Sequence, residues 1–330
     1  MSAPVARYRA RRLEGVILAA GRGTRIHPLS LHYPKALLPI CNKPIIQYQL
    51  EDMKRIGVED VWIVVGHLKE ELPHQLDPIA EELGLTLRYV EQHHTLGIAH
   101  AVAQLESRLE APFILFLGDI MIRAPRLERM AEMFWNRHAG AVLAVKHEPD
   151  PEMIRRNFAV ILHSSGLVTR VVEKPRFATT PLKGCGIYIF DLSIFDAIRR
   201  TPRTALRDEY EITNSIQILI DDGYPVYPAD VVEWDMNVTY ACDIIDVNQQ
   251  MLAALGHESL VSPHAELHPG VTVGPGTVIG PGARIEQPLR IKSSVVFPHT
   301  VVTQREALER VIVTPEEWVN CEGHAPEGPD

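Results

Sequence analysis

The chain has 330 residues, of which 46% are hydrophobic and 23% are charged, and its formal net charge is -9. This is the composition of a globular protein, with apolar mass for one large domain and a smaller one. An acidic chain gives no electrostatic reason to expect nucleic acid or an anionic membrane as a partner. No apolar run reaches the roughly 18 residues that a membrane span needs. Because the four cysteines are scattered without a CxxC pair, we expect free thiols in a reducing compartment, and therefore a cytoplasmic protein.

Residues 1–14 carry four arginines and no apolar run, which predicts a disordered basic tail rather than a signal peptide. Short apolar runs then alternate with stretches of helical spacing. Strands are predicted at 15–20, 61–66, 86–90 and 113–118, and helices at 44–56, 70–83 and 98–109, with the helix at 70–83 broken by Pro73 and Pro78. Such an alternation predicts a doubly wound α/β domain, 15–255, around a mixed, mostly parallel sheet.

The last part of the chain has a different pattern, with an aliphatic residue at every sixth position and Gly-Pro-Gly corners between. The repeating residues are Leu267, Val273, Ile279, Ile285 and Ile291. A six-residue period predicts a short left-handed parallel β-helix over 256–330, in which each side of a coil is one short strand. About five repeats are recognisable, fewer than two coils of three sides, so subunit contacts or allostery are favoured over an acyltransferase. We expect a homo-oligomer.

The first predicted strand runs into a loop that contains Gly21 and Gly23 and continues to Thr24 and Arg25. Small residues let backbone N–H groups approach a phosphate closely, while Arg25 and Lys35 supply cations for a triphosphate. No Gly-Lys-Ser/Thr follows, so the loop is not a Walker loop. The third glycine of the dinucleotide fingerprint is absent, which disfavours an oxidoreductase.

This loop is the first of several motifs that occur in a fixed order along the chain. They are LAAGRGTR at 18–25, PKALLP at 34–39, NKPIIQY at 42–48, LGIAHAV at 96–102, LGD at 117–119, VEKP at 172–175, GIYIF at 186–190 and EYEIT at 209–213. In these motifs the chain resembles the sugar-1-phosphate nucleotidylyltransferases, and most closely the long form of glucose-1-phosphate thymidylyltransferase, which also carries a β-helix tail. The resemblance covers about 15–248 and the tail. It implies a Rossmann-like fold and transfer of a nucleotidyl group from a nucleoside triphosphate to a sugar 1-phosphate, with release of pyrophosphate.

The resemblance also implies roles for individual residues. The catalytic residues would be Arg25, Lys35, Asp119 and Lys174. The nucleotide contacts would be Leu18, Ala19, Ala20, Gly21, Gly23, Thr24, Gln92 and Gly97, with the Gln92 amide both donating to and accepting from a pyrimidine edge. The sugar 1-phosphate contacts would be Ala159, Glu173, Lys174, Gly186 and Tyr188. Asp119 ends a buried strand and would hold Mg²⁺ together with Asn237, for which Asp235 is the rival ligand.

Some positions depart from the family pattern and keep other functions open. Asn237 stands where the family usually has a second metal-binding Asp, and Ile120 replaces a usual Asn. Ala159 replaces a common Gly, so the sugar need not be plain glucose. The spacing of Gln92 and Gly97 favours dTTP or UTP. The alternatives are a guanylyl- or adenylyltransferase acting on a modified sugar or cyclitol 1-phosphate, and a non-catalytic protein that senses nucleotide sugars.

Overall fold

The computed structural model describes residues 12–205 and 207–323, so nearly all of the predicted basic tail lies outside the described residues. The chain divides into two compact units. Among the described residues, one unit comprises 12–21 together with Gln49–Asp235, and the other comprises Arg22–Tyr48 together with 236–323. No helix in the described ranges is long and apolar enough to cross a membrane.

The described strands and helices are as follows in chain order. The strands are β1 (Glu14–Ala19), β2 (Pro39–Ile40), β3 (Lys43–Pro44), β4 (Asp60–Val65), β5 (Thr86–Glu91), β6 (Phe113–Leu117), β7 (Ile120–Arg123), β8 (Ala141–His147), β9 (Phe158–Leu162), β10 (Val168–Glu173), β11 (Leu182–Phe190), β12 (Val226–Asp230), β13 (Trp234–Asn237), β14 (Leu260–Val261), β15 (Glu266–Leu267), β16 (Thr272–Val273), β17 (Val278–Ile279), β18 (Arg284–Ile285), β19 (Arg290–Lys292), β20 (Val295–Val296), β21 (Val301–Val302), β22 (Leu308–Glu309), β23 (Val311–Val313) and β24 (Trp318–Asn320). The α-helices are α1 (Ile45–Arg55), α2 (Glu71–Leu83), α3 (Ile98–Ala103), α4 (Glu128–Arg137), α5 (Pro151–Arg155), α6 (Ile194–Arg200), α7 (Ile212–Asp221) and α8 (Asp243–Leu255).

The first unit is built on a mixed sheet that has nine strands among the described residues. One half has the order β5-β4-β1-β6 and is parallel throughout. Beyond β6 the sheet continues with β11, which is antiparallel to β6, β8 and β9, while β10 is antiparallel to β9. β12 lies parallel to β8. The mixed α/β fold is therefore confirmed, but the sheet is not mostly parallel. The apolar runs that predicted parallel strands all lie before residue 120, whereas β9, β10 and β11 pair with antiparallel neighbours and only β12 forms a further parallel pair in the described sheet.

The central strands of this sheet are buried on both faces. In β6, Phe113, Ile114, Leu115 and Phe116 are each at most 1% exposed. Alternate side chains such as Val16 and Leu115 join one apolar cluster with α3, α6 and α7. Burial on both faces explains why these strands are continuous apolar runs rather than alternating ones.

The predicted break in the second helix is wrong, because α2 runs unbroken through both prolines. Pro73 lies in the first turn, where a backbone N–H has no partner within the helix, so its missing donor costs nothing there. Pro78 lies inside the helix and removes one hydrogen bond without ending it. α3 is shorter than predicted, because the chain after Ala103 continues in tighter turns such as Leu105 N–H to Val102 O at 2.9 Å.

In the second unit, the strands from β14 to β23 pair in three parallel sheets, and each strand pairs with the third strand after it. The pairs Leu267↔Ile285 and Val273↔Ile291 confirm that the repeating aliphatic residues stack in columns. The chain continues to form such strands through Val313, and each of the three sheets receives at least three of them. The prediction of fewer than two coils is therefore wrong. The strict period ends after Ile291, because the next buried column residue, Val296, follows five positions later.

The expectation that all cysteines are free thiols is wrong for two of them. Cys242 and Cys321 form a disulfide across 79 positions of sequence, whereas Cys41 and Cys185 are free and buried. The bond joins the residue before α8 to the residue after β24. Only the fold brings these two positions together, so their sequence spacing gives no sign of the pairing.

Candidate active site

In the first unit, β1 and β6 are parallel neighbours that end side by side. Leu18 pairs with Leu117, and the backbone N–H of Gly118 donates to Leu18 O at 2.9 Å. A side chain at Gly118 could not fit, since its Cβ would lie 2.7 Å from the same oxygen. Asp119 follows directly, so the chain places it at the carboxyl edge of the sheet, next to the end of β1. This edge is where open α/β sheets bind ligands.

Gln92 lies at the same edge, directly after β5. Its backbone N–H donates to Val65 O at 2.8 Å, and the residue is 6% exposed. The amide nitrogen lies 3.0 Å from Nδ1 of His100, whose ring is stacked on Tyr210 with the centroids 6.3 Å apart. Burial, with the nearby charge of His94, lowers the pKa of His100 below its ordinary value. The lowered pKa favours the neutral ring, which in the tautomer protonated on Nε2 accepts at Nδ1 from the Gln92 amide nitrogen.

The loop before α3 is locked to Tyr210 by backbone contacts. Tyr210 N–H donates to Leu96 O at 2.8 Å, and Ala99 N–H donates to Tyr210 O at 3.0 Å. Gly97 lies between them with a φ of 104°. A Cβ there would lie 2.6 Å from Tyr210 O, so both the backbone conformation and the space require glycine. Gln92 and Gly97 are thus held near one another through His100 and Tyr210.

The residues expected to contact the sugar lie on adjacent strands of the same sheet. Ala159 pairs with Val172 on one side and with Lys183 on the other, and it is 1% exposed. Gly186 lies beside the segment that follows Asp119, since a Cβ on Gly186 would lie 2.8 Å from Cδ1 of Ile120. Antiparallel pairing thus brings the start of β11 to the edge where β6 ends.

Tyr188 belongs to the core rather than to an open surface. It is 2% exposed, and its ring is stacked between Phe158 and Phe190 with centroid distances of 6.0 and 5.5 Å. Its ring is therefore enclosed by core side chains and is not exposed to contact the sugar as predicted.

Glu173 ends β10 within a charged cluster. The Thr213 hydroxyl donates to its carboxylate at 3.3 Å, and Arg207 lies 3.5 Å from Glu173 and 3.1 Å from Glu211. Burial and the charge of Glu211 raise the pKa of Glu173 to about 7, against the opposing effects of Arg207 and Lys174. At neutral pH, Glu173 is therefore present in both protonation states and can donate or accept a hydrogen bond. Lys174, the next residue, is exposed.

Asp235 lies in a buried ionic network. Nζ of Lys183 is 2.8 Å from both carboxylate oxygens of Asp235, and the two side chains are 1% and 4% exposed. Nζ of Lys146 lies 3.2 Å from Asp235 and 3.0 Å from Glu148. Two ammonium groups already neutralise Asp235, so a cation would have to displace them to bind there.

Arg25 and Lys35, the cations predicted to contact the triphosphate, lie in the second unit, in a segment of short 3₁₀ turns. Gly23 has a φ of 60° and precedes the turn Thr24–Ile26, from which Arg25 is exposed. Lys35 begins the turn Lys35–Leu37. The two turns are close neighbours, since a Cβ at Gly23 would lie 3.8 Å from Cβ of Lys35.

The described residues contain no group of three His, Cys, Asp or Glu side chains that could hold a metal ion by themselves. Of the residues predicted to hold Mg²⁺, Asp119 follows β6 in the first unit and Asn237 ends β13 in the second unit.

Several residues around the site were not singled out from the sequence. His100 lies within the motif LGIAHAV, and Glu211 and Thr213 lie within EYEIT, so the motifs contained them without indicating their roles. Lys183 had no signal, because its partner Asp235 is 52 positions away. An isolated lysine in a sequence is expected at the surface.

Comparisons with known proteins identify the family and the fold. A family model described as nucleotidyl transferase matches residues 14–252. The low-salt glycan biosynthesis nucleotidyltransferase Agl11 of Haloferax volcanii is 31% identical over 242 residues, which are 73% of this chain and 66% of that protein. A glucose-1-phosphate thymidylyltransferase of Streptomyces antibioticus is 31% identical over 245 residues, 74% of this chain and 67% of that protein. The match thus spans about two thirds of the length of these relatives. A solved structure of UDP-glucose pyrophosphorylase complexed with UDP-glucose superposes with a TM-score of 0.65 at 22% identity, over 74% of this chain and 99% of that one, and so shares the fold.

Proposed function

Because the chain belongs to the nucleotidyl transferase family, we propose that it transfers a nucleotidyl group from a nucleoside triphosphate to a sugar 1-phosphate, giving a nucleotide sugar and pyrophosphate. The observation that carries this proposal is the edge of the sheet in the first unit, where β1 leads into the start of the signature loop (18–21), Gln92 follows β5 and Asp119 follows β6. The relatives include a glucose-1-phosphate thymidylyltransferase and a UTP–glucose-1-phosphate uridylyltransferase, which supports dTTP or UTP as the donor.

In the proposed reaction, a phosphate oxygen of the sugar 1-phosphate attacks the α-phosphorus of the nucleotide. The bond from that phosphorus to the bridging oxygen breaks, and pyrophosphate leaves with the electron pair. Arg25 and Lys35 stabilise the charge on the departing pyrophosphate, and Lys174 orients the attacking phosphate. No covalent protein intermediate is required, since the attacking group is already ionised and positioning supplies the catalysis.

The nucleotide would be held by the loop that starts at Leu18 and by Gln92 beside Gly97. The contacts of the loop are Leu18, Ala19, Ala20, Gly21, Gly23 and Thr24. Gln92 can read a pyrimidine edge because its amide both donates and accepts, and His100 holds that amide in one orientation. A guanylyl- or adenylyltransferase remains the second candidate, supported by the relatives named as mannose-1-phosphate guanylyltransferases.

The sugar 1-phosphate would lie against Glu173, Lys174, Gly186 and the backbone near Ala159. Tyr188 is not among the proposed sugar contacts, because the core encloses its ring. Mg²⁺ would be held by Asp119 and Asn237, and would neutralise charge on the phosphates during transfer. Asp235 is the weaker candidate for a ligand, since Lys183 and Lys146 already pair with it.

The catalytic domain would occupy 15–255 and the tail 256–330. The three parallel sheets of short strands support a left-handed parallel β-helix for this tail. An exposed edge of such a tail is a natural surface for a homo-oligomer.

The test is a screen of dTTP, UTP, CTP, GTP and ATP against a panel of sugar 1-phosphates with Mg²⁺, following pyrophosphate release. We expect release with a pyrimidine nucleotide, and loss of release in Asp119→Asn. Tight binding of a nucleotide sugar with no pyrophosphate from any pair would support a sensing protein instead. If glucose 1-phosphate is the best substrate, Ala159 does not exclude plain glucose.

A further inference from the structure

The segment that carries the proposed triphosphate cations belongs to the same compact unit as the C-terminal strands. This segment, Arg22–Tyr48, contains Arg25 and Lys35, and is called here the cation segment. One of its contacts with the C-terminal part of the chain is a hydrogen bond, which the hydroxyl of Tyr33 donates to the carboxylate of Glu316 at 2.7 Å. The strands therefore do not form an independent appendage.

Glu316 is held in place by the turn between β23 and β24. The hydroxyl of Thr314 accepts the backbone N–H groups of Glu316 and Glu317 at 3.2 and 2.9 Å, and lies 3.3 Å from the Glu316 carboxylate. Thr314 is 2% exposed, so the turn is fixed to the buried end of β23. The acceptor of Tyr33 thus has a defined position, although Glu316 itself is exposed.

The ring of Tyr33 is fixed from a second side. It meets the ring of Phe297 edge to face with the centroids 5.3 Å apart, and Phe297 is 1% exposed. Edge-to-face pairs of this kind are attractive beyond the area that they bury. Tyr33 is therefore held both by its ring and by its hydroxyl.

Tyr33 is only two residues from Lys35, with the buried Pro34 between them. The turn that starts at Lys35 is closed by Leu37 N–H to Pro34 O at 2.9 Å. Lys35 in turn packs beside Gly23 of the signature loop. A shift at Tyr33 is therefore passed to the base of Lys35 through a stiff connection, since proline fixes its own φ.

We propose that Tyr33 and Glu316 are positioning residues through which the C-terminal strands hold Lys35 in place for the triphosphate. This inference rests on the proposed function, which assigns Lys35 to the triphosphate. It gives the C-terminal strands a direct part in nucleotide binding within one chain, separate from any role in oligomer contacts.

The experiment compares Tyr33→Phe, Glu316→Gln and the double variant with wild type. Tyr33→Phe removes the donor and therefore the bond, whereas Glu316→Gln removes the negative charge and leaves an amide oxygen that can still accept, so its effect should be the smaller; both keep the shape of the side chain. We expect the Kd for the nucleotide, measured calorimetrically without the sugar 1-phosphate, to rise about three- to tenfold. The KM for the sugar 1-phosphate should stay within about twofold, because Glu173 and Lys174 are not in the cation segment. The double variant should bind no more weakly than Tyr33→Phe, since that single change already removes the bond on which both residues act.

Tyr89→Phe is the matched control, because the hydroxyl of Tyr89 also donates to a carboxylate, that of Asp77, at 2.7 Å. It should leave nucleotide binding unchanged. Nucleotide affinity equal to that of wild type in folded Tyr33→Phe and Glu316→Gln overturns the inference, as do additive losses in the double variant. If wild type binds nucleotide but no pair of substrates releases pyrophosphate, the proposed function fails while the binding comparison still decides the positioning role.

Discussion

The buried pair of Lys183 and Asp235 allows a prediction in which replacing one partner destabilises the protein and replacing both does not. Replacing Lys183 with Met keeps most of the side-chain volume but leaves a carboxylate that is 4% exposed without its closest partner. Breaking a buried ion pair in this way costs about 3–5 kcal/mol. Lys146 remains at 3.2 Å from Asp235, so we expect the lower end of that range, about 3 kcal/mol. For a unit of this size such a loss lowers the melting temperature by roughly 6–12 °C.

The double variant Lys183→Met/Asp235→Leu removes both charges at once. Lys146 keeps Glu148 at 3.0 Å, so no buried charge is left unpaired. Because well-packed apolar residues can replace a buried pair at no net cost, we expect this variant to be within about 1 kcal/mol of wild type.

The assay is urea unfolding followed by circular dichroism, with Arg155→Met as the control. Arg155 forms an exposed pair with Glu152 at 2.7 Å, with both side chains 41% exposed, and its loss should cost less than about 1 kcal/mol. A Lys183→Met protein as stable as wild type would refute the reasoning. So would a double variant that is destabilised as much as the single one, because the cost would then come from packing rather than from an unpaired charge.

Three further predictions concern catalysis, pH and the thiols. Arg25→Ala should lower kcat by about 100-fold or more with little change in the KM for the sugar 1-phosphate, and equal losses in both would contradict its role at the pyrophosphate. The pKa of Glu173 is raised from 4.5 in the unfolded chain to about 7. Wild type should therefore lose stability relative to Glu173→Gln as the pH rises through that interval, and the difference in their free energies of unfolding should then level off. Urea titrations in which wild type instead gains stability relative to the variant would show that the pKa is lowered rather than raised. A thiol titration should find no reactive cysteine in the native protein, two in the denatured protein, and four in the denatured and reduced protein. Four reactive thiols in the denatured protein without reductant would exclude the bond between Cys242 and Cys321.

The parts of the fold that the sequence predicted are those in which one local pattern determines the structure. Continuous apolar runs indicated β1, β4 and β6 because these strands are largely buried on both faces. β5 lies at the end of the sheet order and alternates exposed and partly buried residues, so it was indicated by its alternation instead. The six-residue period indicated the stacked strands from Leu267 to Ile291 for the same reason, since each repeating side chain lies in one column. After Ile291 the spacing to the next buried aliphatic residue, Val296, is five positions. The sequence therefore showed only five repeats, although further strands follow.

Features that depend on distant residues were not predictable in this way. The disulfide, the network around Lys183 and the contact of Tyr33 with Glu316 join positions 79, 52 and 283 residues apart. Each partner alone has an ordinary interpretation, as a thiol, a surface lysine or a loop tyrosine. Asp119 and Gln92 were predicted at the edge of the sheet because each lies within two residues of the end of a predicted strand, and the carboxyl end of a strand fixes where the next residues lie.

Asp235, at the end of the first unit, is acidic because of partners that are distant in sequence. In sequence, Asp235 looked like a replacement for the carboxylate that is missing at Asn237, since both would face one side of a strand. The structure gives Asp235 a different and sufficient reason to be acidic, because it balances Lys183 and Lys146 in a place where an unpaired ammonium would be costly. Its charge is therefore already used, and it does not restore the charge that Asn237 lacks. The proposed metal site is left with the single carboxylate of Asp119, so the phosphates of the nucleotide must supply most of the negative charge that binds Mg²⁺.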